Sequence, residues 1–137
     1  MSPVAEIKIK RPLAMHLMGL AQRSPDAEIC GLVGMQNGVL STCYPIDNIA
    51  EEPADSFLME PEQQAAALRA MKDKGESLYA IYHSHPSSPP VPSRRDLEEV
   101  GVDDAYYLIV SLNTKGVLEL AAYELHNGAV KAVDLTL

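Results

Sequence analysis

The spacing of apolar residues along the chain predicts helices in three places. Over residues 12–23 the apolar side chains recur every three or four positions, which gives one apolar stripe along an amphipathic helix. A second helix is predicted over residues 61–75, because Pro61 suits a first helical turn and Gly75 suits the position just beyond a helix end. Residues 93–100 predict a third, short helix.

Shorter runs, either apolar throughout or alternating between apolar and polar, predict strands. Two of these runs flank Asn37-Gly38, which is a strong signal for a two-residue hairpin turn. Such a turn would set Leu32 opposite Cys43. The predicted strands cover residues 4–9, 28–35, 39–46, 77–85, 106–112, 117–125 and 129–137, with a short additional strand at 56–59.

The order of these elements predicts the fold class. Helices interrupt a set of strands that mostly follow one another through short turns. We therefore expect an α/β (α+β) protein with a mixed, mostly antiparallel sheet flanked by helices. The 137 residues show no repeat, no low-complexity tail and no interdomain linker. They predict one domain over residues 1–137, which is long enough to bury a core without disulfides.

The charge balance narrows the range of partners. Nineteen acidic residues against eleven basic ones give a net charge of −8. This negative field repels phosphate backbones, so nucleic acid is not expected as a partner. The apolar runs are too short to span a bilayer, so no membrane partner is expected either.

Cysteine usage indicates a reducing compartment. The chain contains two cysteines, Cys30 and Cys43, which are too few for the disulfide framework of a small secreted protein. Across the predicted hairpin Cys30 would face Pro45. The two cysteines would then be diagonal neighbours with Cα atoms roughly 7–8 Å apart, slightly too far to bridge. We expect reduced, half-buried thiols in a cytoplasmic protein.

The stretch that says most about function is HSHPSSPPVPSRRD, residues 83–96. Residues two apart on a strand share a face, so His83 and His85 offer zinc two imidazole ligands at the end of their predicted strand. The prolines that follow prevent the chain from continuing the sheet, and the loop can return Asp96 to the same metal. Two histidines and one carboxylate leave a fourth position for water, which is typical of catalytic zinc.

Each part of this stretch also has an ordinary structural interpretation. A His-x-His pair at a strand end can be two exposed or hydrogen-bonded histidines. Ser93 and Asp96 have the spacing of a helix N-cap with an acidic residue in the first turn. The cap and the metal ligand are compatible, because a capped helix would hold Asp96 in a fixed orientation. The combination of the four residues favours the metal site.

The same residues resemble the signature of the JAMM (MPN-domain) zinc metalloproteases. His83-Ser84-His85, then seven residues, then Ser93 and Asp96 match the pattern of that family. The family also has an upstream glutamate followed by a segment similar to E-x-C-G-L-x-x-G. Here EICGLVG stands at residues 28–34, and the NIA segment that follows the hairpin is similar as well. The resemblance covers essentially the whole chain and implies the JAMM/MPN fold, which is cytidine-deaminase-like.

The resemblance implies a role for each matching residue. His83, His85 and Asp96 would hold zinc. Glu28 would be the general base that polarises the zinc-bound water and later passes its proton to the leaving amine; this assignment rests on the resemblance alone. Ser93 would donate a hydrogen bond to the oxyanion. These roles agree with the chemistry, because zinc lowers the pKa of bound water to about 7 and a nearby carboxylate can then take its proton.

The implied function is that of a zinc-dependent peptidase or isopeptidase that cuts after the C-terminal Gly-Gly of a ubiquitin-like or sulfur-carrier protein. The chain has no room for the long insertions of the eukaryotic enzymes and resembles compact bacterial and archaeal members. A non-catalytic MPN scaffold is the alternative, but such scaffolds generally lose a metal ligand, and all are present here. A cytidine-deaminase-type hydrolase would need a P-C-x-x-C zinc half, which the chain lacks.

Overall fold

The computed structural model describes residues 6–76, 78–92, 105–112, 119–126 and 129–136. Within these ranges the chain forms seven strands and two helices. In chain order they are β1 (Glu6–Ile9), α1 (Arg11–Gln22), β2 (Cys30–Gln36), β3 (Val39–Ile46), α2 (Pro61–Lys74), β4 (Leu78–His85), β5 (Ala105–Ser111), β6 (Glu119–His126) and β7 (Ala129–Thr136). The predicted helix at 93–100 lies outside the described residues. The predicted strand at 56–59 is reduced to an isolated bridge between Asn48 and Met59.

The strands form one closed sheet in the order β1-β3-β2-β4-β5-β6-β7. The pairs β2/β3, β2/β4, β5/β6 and β6/β7 are antiparallel, whereas β4/β5 and both pairs made by β1 are parallel. The predicted mixed sheet flanked by helices is confirmed. Its closure was not predicted, because it depends on β1 pairing with β7 at the other end of the chain.

The two helices pack on separate groups of strand residues, because neighbouring residues of a strand face opposite sides of the sheet. The residues that pack with α1 form the α1 core, and those that pack with α2 form the α2 core. The α1 core consists of Ile7, Ile9, Leu13, Ala14, Leu17, Ala21, Val33, Met35, Leu40, Ala80, Tyr82, Leu108, Val110, Ala122 and Val133. The α2 core consists of Cys30, Leu32, Ile46, Phe57, Met59, Ala67, Met71, Ile81, Tyr107 and Leu125.

The hairpin of β2 and β3 keeps its two-residue turn, but a β-bulge changes the register beyond it. Met35 pairs with Leu40, whereas the preceding residue, Gly34, pairs with Thr42. Ser41 is therefore the extra residue of the bulge. Its hydroxyl oxygen lies 3.2 Å from the carbonyl oxygen of Gly34. Every pair beyond the bulge is offset by one residue from a regular hairpin.

This offset corrects the predicted positions of the two cysteines. Cys30 pairs with Ile46 and Cys43 pairs with Val33, so the predicted partner of each cysteine is wrong by one residue. A shift of one residue turns a side chain to the other face of a sheet. Cys30 accordingly lies in the α2 core and Cys43 packs against the α1 core. Both thiols are free, as predicted, but Cys30 is fully buried and the two lie on opposite faces of the sheet.

A buried carboxylate, Glu76, lies beside the bulge. It is 5% exposed and accepts hydrogen bonds from the hydroxyls of Ser41 and Tyr44. Burial opposes its ionisation, but these hydrogen bonds and one from Thr42, together with the charge of Lys74, outweigh burial. The pKa of Glu76 is therefore lowered from its ordinary value of 4.5.

Two glycines of the EICGLVG segment are required by close packing. A Cβ atom at Gly31 would lie 2.5 Å from the backbone oxygen of Tyr44 and from the hydroxyl of Tyr82. A Cβ atom at Gly34 would strike the carboxylate of Glu76. Any larger residue would displace a neighbouring group, so lack of space selects glycine at both positions.

Replacing Glu76 with glutamine is expected to lower the free energy of unfolding by about 1–3 kcal/mol at pH 7, because an amide cannot satisfy the buried hydroxyl donors as a carboxylate does. The folded-state pKa is lowered, so the carboxylate contributes stability above its unfolded-state pKa and loses it as pH falls through the folded-state value. Urea unfolding is measured at pH 7 and below pH 4.5. The difference in the free energy of unfolding between wild type and variant should be smaller at the acidic pH. The exposed Glu62, changed in the same way, is the control. A difference in the free energy of unfolding that does not depend on pH would contradict a stabilising role for the ionised Glu76 carboxylate.

Candidate metal centre

Strand β4 ends with two buried histidines. His83 is 1% exposed and His85 is 3% exposed. Their Nε2 atoms lie 3.2 Å apart, and the two ring centroids are 5.0 Å apart. The pair shares one face of the strand, as residues two apart must. Two ring nitrogens thus meet where both side chains are buried.

Glu28 approaches the histidines from the neighbouring strand. It lies just before β2, which pairs with β4 so that Cys30 is opposite His83. One ligand atom from each of Glu28, His83 and His85 lies within 4.8 Å of the other two, and Glu28 is 4% exposed. Among the residues that the structure describes, this group could hold a metal ion.

Hydrogen bonds fix the backbone around Glu28. Its N–H donates to the carbonyl of Pro53 at 2.6 Å, and its carbonyl accepts from the side-chain amide of Asn48 at 2.9 Å. The N–H of Ile29 donates to the hydroxyl of Ser84 at 2.9 Å, and the N–H of Ser84 donates to the carbonyl of Ile29 at 3.1 Å. The residue between the two histidines therefore joins β4 to the segment that carries Glu28.

The loop between β3 and α2 supplies an aromatic wall to the site. The Asn48 side chain spans this loop, since its Nδ2 donates to the carbonyl of Ser56 at 3.0 Å and its Oδ1 accepts from the N–H of Leu58 at 2.9 Å. Phe57 lies between these two anchored residues. Its ring stacks on that of His83, with centroids 4.6 Å apart and 20° between the planes. Phe57 thus restricts the orientation of the His83 imidazole.

The proline-rich loop after β4 fixes the tautomer of His85. The Nδ1 atom of His85 lies 2.8 Å from the carbonyl oxygen of Pro89. A carbonyl only accepts, so Nδ1 carries the hydrogen and Nε2 presents its lone pair towards His83. Two nitrogen ligands at about 2.0–2.1 Å from a tetrahedral zinc lie about 3.3 Å apart. The observed separation of 3.2 Å fits zinc between the two rings.

The thiol of Cys30 is poorly suited to be a further ligand. Burial and, after it, the charges of Glu28 and Asp47 raise the pKa of Cys30 to about 12. Its Sγ donates to the carbonyl of Ile46 at 3.4 Å. The group of described side chains that could hold a metal ion consists of Glu28, His83 and His85 and does not include Cys30.

A cavity of about 450 Å³ borders Glu28. It lies between the end of α1, the start of β2 and the end of β3, and its lining includes polar Asp47 and Asn48 as well as apolar Leu20 and Tyr82. One water molecule needs only a small part of this volume. Water can therefore reach the segment that carries Glu28.

Three of the five site residues predicted from the sequence are described, and the structure brings them together: Glu28, His83 and His85. Ser93 and Asp96 lie outside the described residues, so their roles stay predictions.

Sequence reasoning assigned no role to three residues that support this group. Asn48 lies in the NIA segment and Ser84 lies between the two histidines, so both belong to segments that carry the family resemblance. Phe57 is the single phenylalanine of the chain and gave no signal, because its stacking on His83 depends on how the loop folds back.

The fold is a closed mixed sheet with one helix packed on each of its two cores. A buried carboxylate and two buried imidazoles lie together and form a candidate metal centre. The family described as prokaryotic homologs of the JAB domain matches residues 10–124. The chain belongs to this family, and the assignment to the compact prokaryotic JAMM/MPN type is confirmed.

Individual relatives agree with this assignment. The chain is 34% identical over 98 residues to a desampylase from Haloferax volcanii, which covers 70% of each protein. It is 31% identical over 124 residues to a CysO-cysteine peptidase from Mycobacterium tuberculosis, covering 89% of this chain and 84% of the relative. A solved JAB1/MPN-domain protein from Archaeoglobus fulgidus has a TM-score of 0.56 at 18% identity over 96% of this chain and 98% of its own, which shows the shared fold.

Neither helix in the described part of the chain is long and apolar enough to cross a membrane.

Proposed function

We propose that this protein is a zinc-dependent peptidase or isopeptidase that hydrolyses the bond after the C-terminal Gly-Gly of a ubiquitin-like or sulfur-carrier protein. The observation that carries the proposal is the buried contact of His83 and His85, with 3.2 Å between their Nε2 atoms and the Glu28 carboxylate beside them. The names of the two relatives, desampylase and CysO-cysteine peptidase, support a hydrolase that acts on peptide or isopeptide bonds.

Zinc would be held by His83, His85 and Asp96. The spacing of the two Nε2 atoms and the hydrogen bond from His85 Nδ1 to Pro89 support the two imidazoles as ligands. Asp96 rests on the family resemblance. Zinc bound here would act as a Lewis acid that lowers the pKa of water and polarises the scissile carbonyl.

Glu28 is the proposed general base. Its carboxylate takes a proton from the attacking water as the water oxygen bonds to the scissile carbon. When the bond from that carbon to nitrogen breaks, the same carboxyl group returns the proton to the nitrogen, so the amine leaves neutral. The hydrogen bonds of Pro53 and Asn48 to its backbone hold Glu28 in place for both steps.

Ser93 is the proposed donor to the oxyanion that forms on the scissile carbonyl during this attack. A hydroxyl aimed at a developing oxyanion supplies a few kcal/mol of transition-state stabilisation.

The proposed partner is a protein with an extended Gly-Gly end. Two glycines carry no side chains, so such an end can approach buried histidines more closely than larger residues could. We assign the activity to one domain, residues 1–137. We place it in the cytoplasm, where the free thiols of Cys30 and Cys43 stay reduced.

The test is cleavage of a fusion in which a ubiquitin-like carrier protein ends in Gly-Gly and is joined to a reporter. Protein stripped with a chelator and reloaded with zinc should release the reporter, and renewed chelation should stop the release. A fusion with Ala-Ala in place of Gly-Gly is the matched control, and a lysine-linked conjugate tests the isopeptide bond. Zinc-loaded protein that cleaves none of these substrates would overturn the proposal in favour of a non-catalytic scaffold.

A further inference from the structure

The proline loop, residues 86–92, is attached to the sheet by its carbonyl groups. Four of its seven residues are prolines, which have no N–H to donate to a neighbouring strand. Three consecutive carbonyls, those of residues 88 to 90, instead accept hydrogen bonds from side chains. Ser111 Oγ donates to Ser88 at 2.7 Å, His85 Nδ1 lies 2.8 Å from the Pro89 oxygen, and the Tyr123 hydroxyl donates to Pro90 at 2.5 Å. We call these three hydrogen bonds the loop clamp.

The three donors of the loop clamp come from three adjacent strands. His85 is on β4, Ser111 is opposite it on β5, and Tyr123 is on β6. Tyr123 pairs with Tyr107, which pairs with Ile81 on β4, so it lies four residues back along the sheet from the level of His85. The loop therefore does not continue away from β4. It folds back over the α2 side of the sheet.

The loop beyond the clamp is stiff. Proline fixes its own φ, and the residue before a proline is restricted to extended conformations. Pro90 and Pro92 are fixed in this way, and Val91 precedes a proline. The N–H of Val91 also donates to the carbonyl of Pro89 at 2.8 Å, which closes a tight turn. The described chain between Pro90 and Pro92 therefore has little conformational freedom.

The segment that follows carries the rest of the proposed site. Ser93 comes three residues after Pro90, and Asp96 six residues after it. We propose that Tyr123 is a positioning residue: by holding the Pro90 carbonyl it sets the course of the chain as it approaches the segment that carries Ser93 and Asp96, and it thereby supports zinc binding and turnover. This inference rests on the proposed function for the roles of Ser93 and Asp96, but the clamp itself does not.

The environment of Tyr123 suits this task. Its ring is partly buried and packs against the α2 core, so the position of the hydroxyl is set by packing. Burial and the charge of Glu119 raise the pKa of Tyr123, so the hydroxyl stays protonated and donates. Phenylalanine at this position would keep the packing and remove only the donor to Pro90.

The experiment compares Tyr123→Phe with Tyr106→Phe. Tyr106 is also partly buried, on the neighbouring strand β5, but it packs against the α1 core. Tyr106→Phe is therefore a matched control that removes one hydroxyl on the other side of the sheet. In the metal-free protein, trypsin cleavage after Arg94 and Arg95, just beyond the loop, should be faster in Tyr123→Phe. The expected change is about five- to tenfold, the factor that one hydrogen bond is worth. Tyr106→Phe should behave as wild type.

Zinc affinity and steady-state kinetics follow in the same variants. Tyr123→Phe should bind zinc about five- to tenfold more weakly by chelator competition, and kcat at saturating zinc should fall by a similar factor with KM unchanged. Ser111→Ala removes the donor to the Ser88 carbonyl. It should likewise speed trypsin cleavage, weaken zinc binding and lower kcat. A purely structural role for Tyr123 would lower the thermal midpoint without a selective gain in cleavage at residues 94 and 95.

The outcomes separate the two proposals. Equal proteolysis and equal zinc affinity in Tyr123→Phe and Tyr106→Phe would overturn the clamp even if wild type cleaves the fusion. Wild type that cleaves no fusion would overturn the proposed function, while proteolysis of the metal-free protein would still decide the clamp. A uniform increase in cleavage along the whole chain would also overturn the clamp, because it would show loss of stability rather than release of one loop.

Discussion

Replacing Glu28 with glutamine is expected to lower kcat for the Gly-Gly fusion by about 10²–10⁴-fold, the usual worth of general acid and base catalysis, while zinc stays bound. Glutamine has nearly the size of glutamate, but its amide cannot take a proton from water at neutral pH. Because we assign Glu28 as base and not as ligand, chelator competition should give the same zinc affinity as wild type. Reporter release and zinc content are measured on the same preparation.

Glu51→Gln is the matched control for this variant, since Glu51 is exposed on the loop that follows β3. It should keep wild-type kcat and zinc affinity. Retained activity in Glu28→Gln would remove Glu28 from the mechanism. Loss of zinc from that variant would instead make Glu28 a ligand, which the spacing of its carboxylate to the two imidazoles allows.

Replacing His83 with alanine is expected to abolish zinc binding and cleavage together. Loss of groups that merely orient a metal ligand costs about 10–100-fold in affinity, so loss of a ligand should cost more than that. A ligand that binds only the folded state stabilises it, by about 2.7 kcal/mol at a concentration of 100 Kd. Added zinc should therefore raise the thermal midpoint of wild type and leave that of His83→Ala unchanged.

His16→Ala is the control for the histidine variant, because His16 is exposed on α1, away from the α1 core. It should keep the zinc-dependent rise in thermal midpoint and full activity. His83→Ala also removes the ring that stacks on Phe57, so its metal-free form should be less stable than wild type. A His83→Ala protein that still binds zinc as tightly as wild type would contradict the proposed ligand set.

The histidine pair could be predicted from the sequence because it follows from a local rule. His83 and His85 lie two residues apart on a strand, and any strand brings such residues to one face. Glu28 was reached only through the family resemblance. Its contact with the histidines depends on the pairing of β2 with β4, which joins Ile29 to Ser84 across 55 residues of sequence. No pattern within either segment contains that pairing.

The elements of the fold were predicted well where local signals exist. The run 39–46 is β3, and the predicted second helix is α2, with Gly75 in the left-handed conformation at its end. The hairpin register failed because the bulge at Ser41 is favoured by a distant partner. The Ser41 hydroxyl donates to Glu76, 35 residues further along the chain.

By itself, the sequence determined the order of helices and strands, the shared face of the two histidines and the family of the protein, because periodicity, capping residues and motif spacing are written within short segments. Only the tertiary structure decided that the sheet closes through β1 and β7, that the two cysteines lie on opposite faces, and that Phe57 and Pro89 contact the two histidines. Each of these depends on which distant strands and loops meet, and such encounters are settled by the packing of the whole chain.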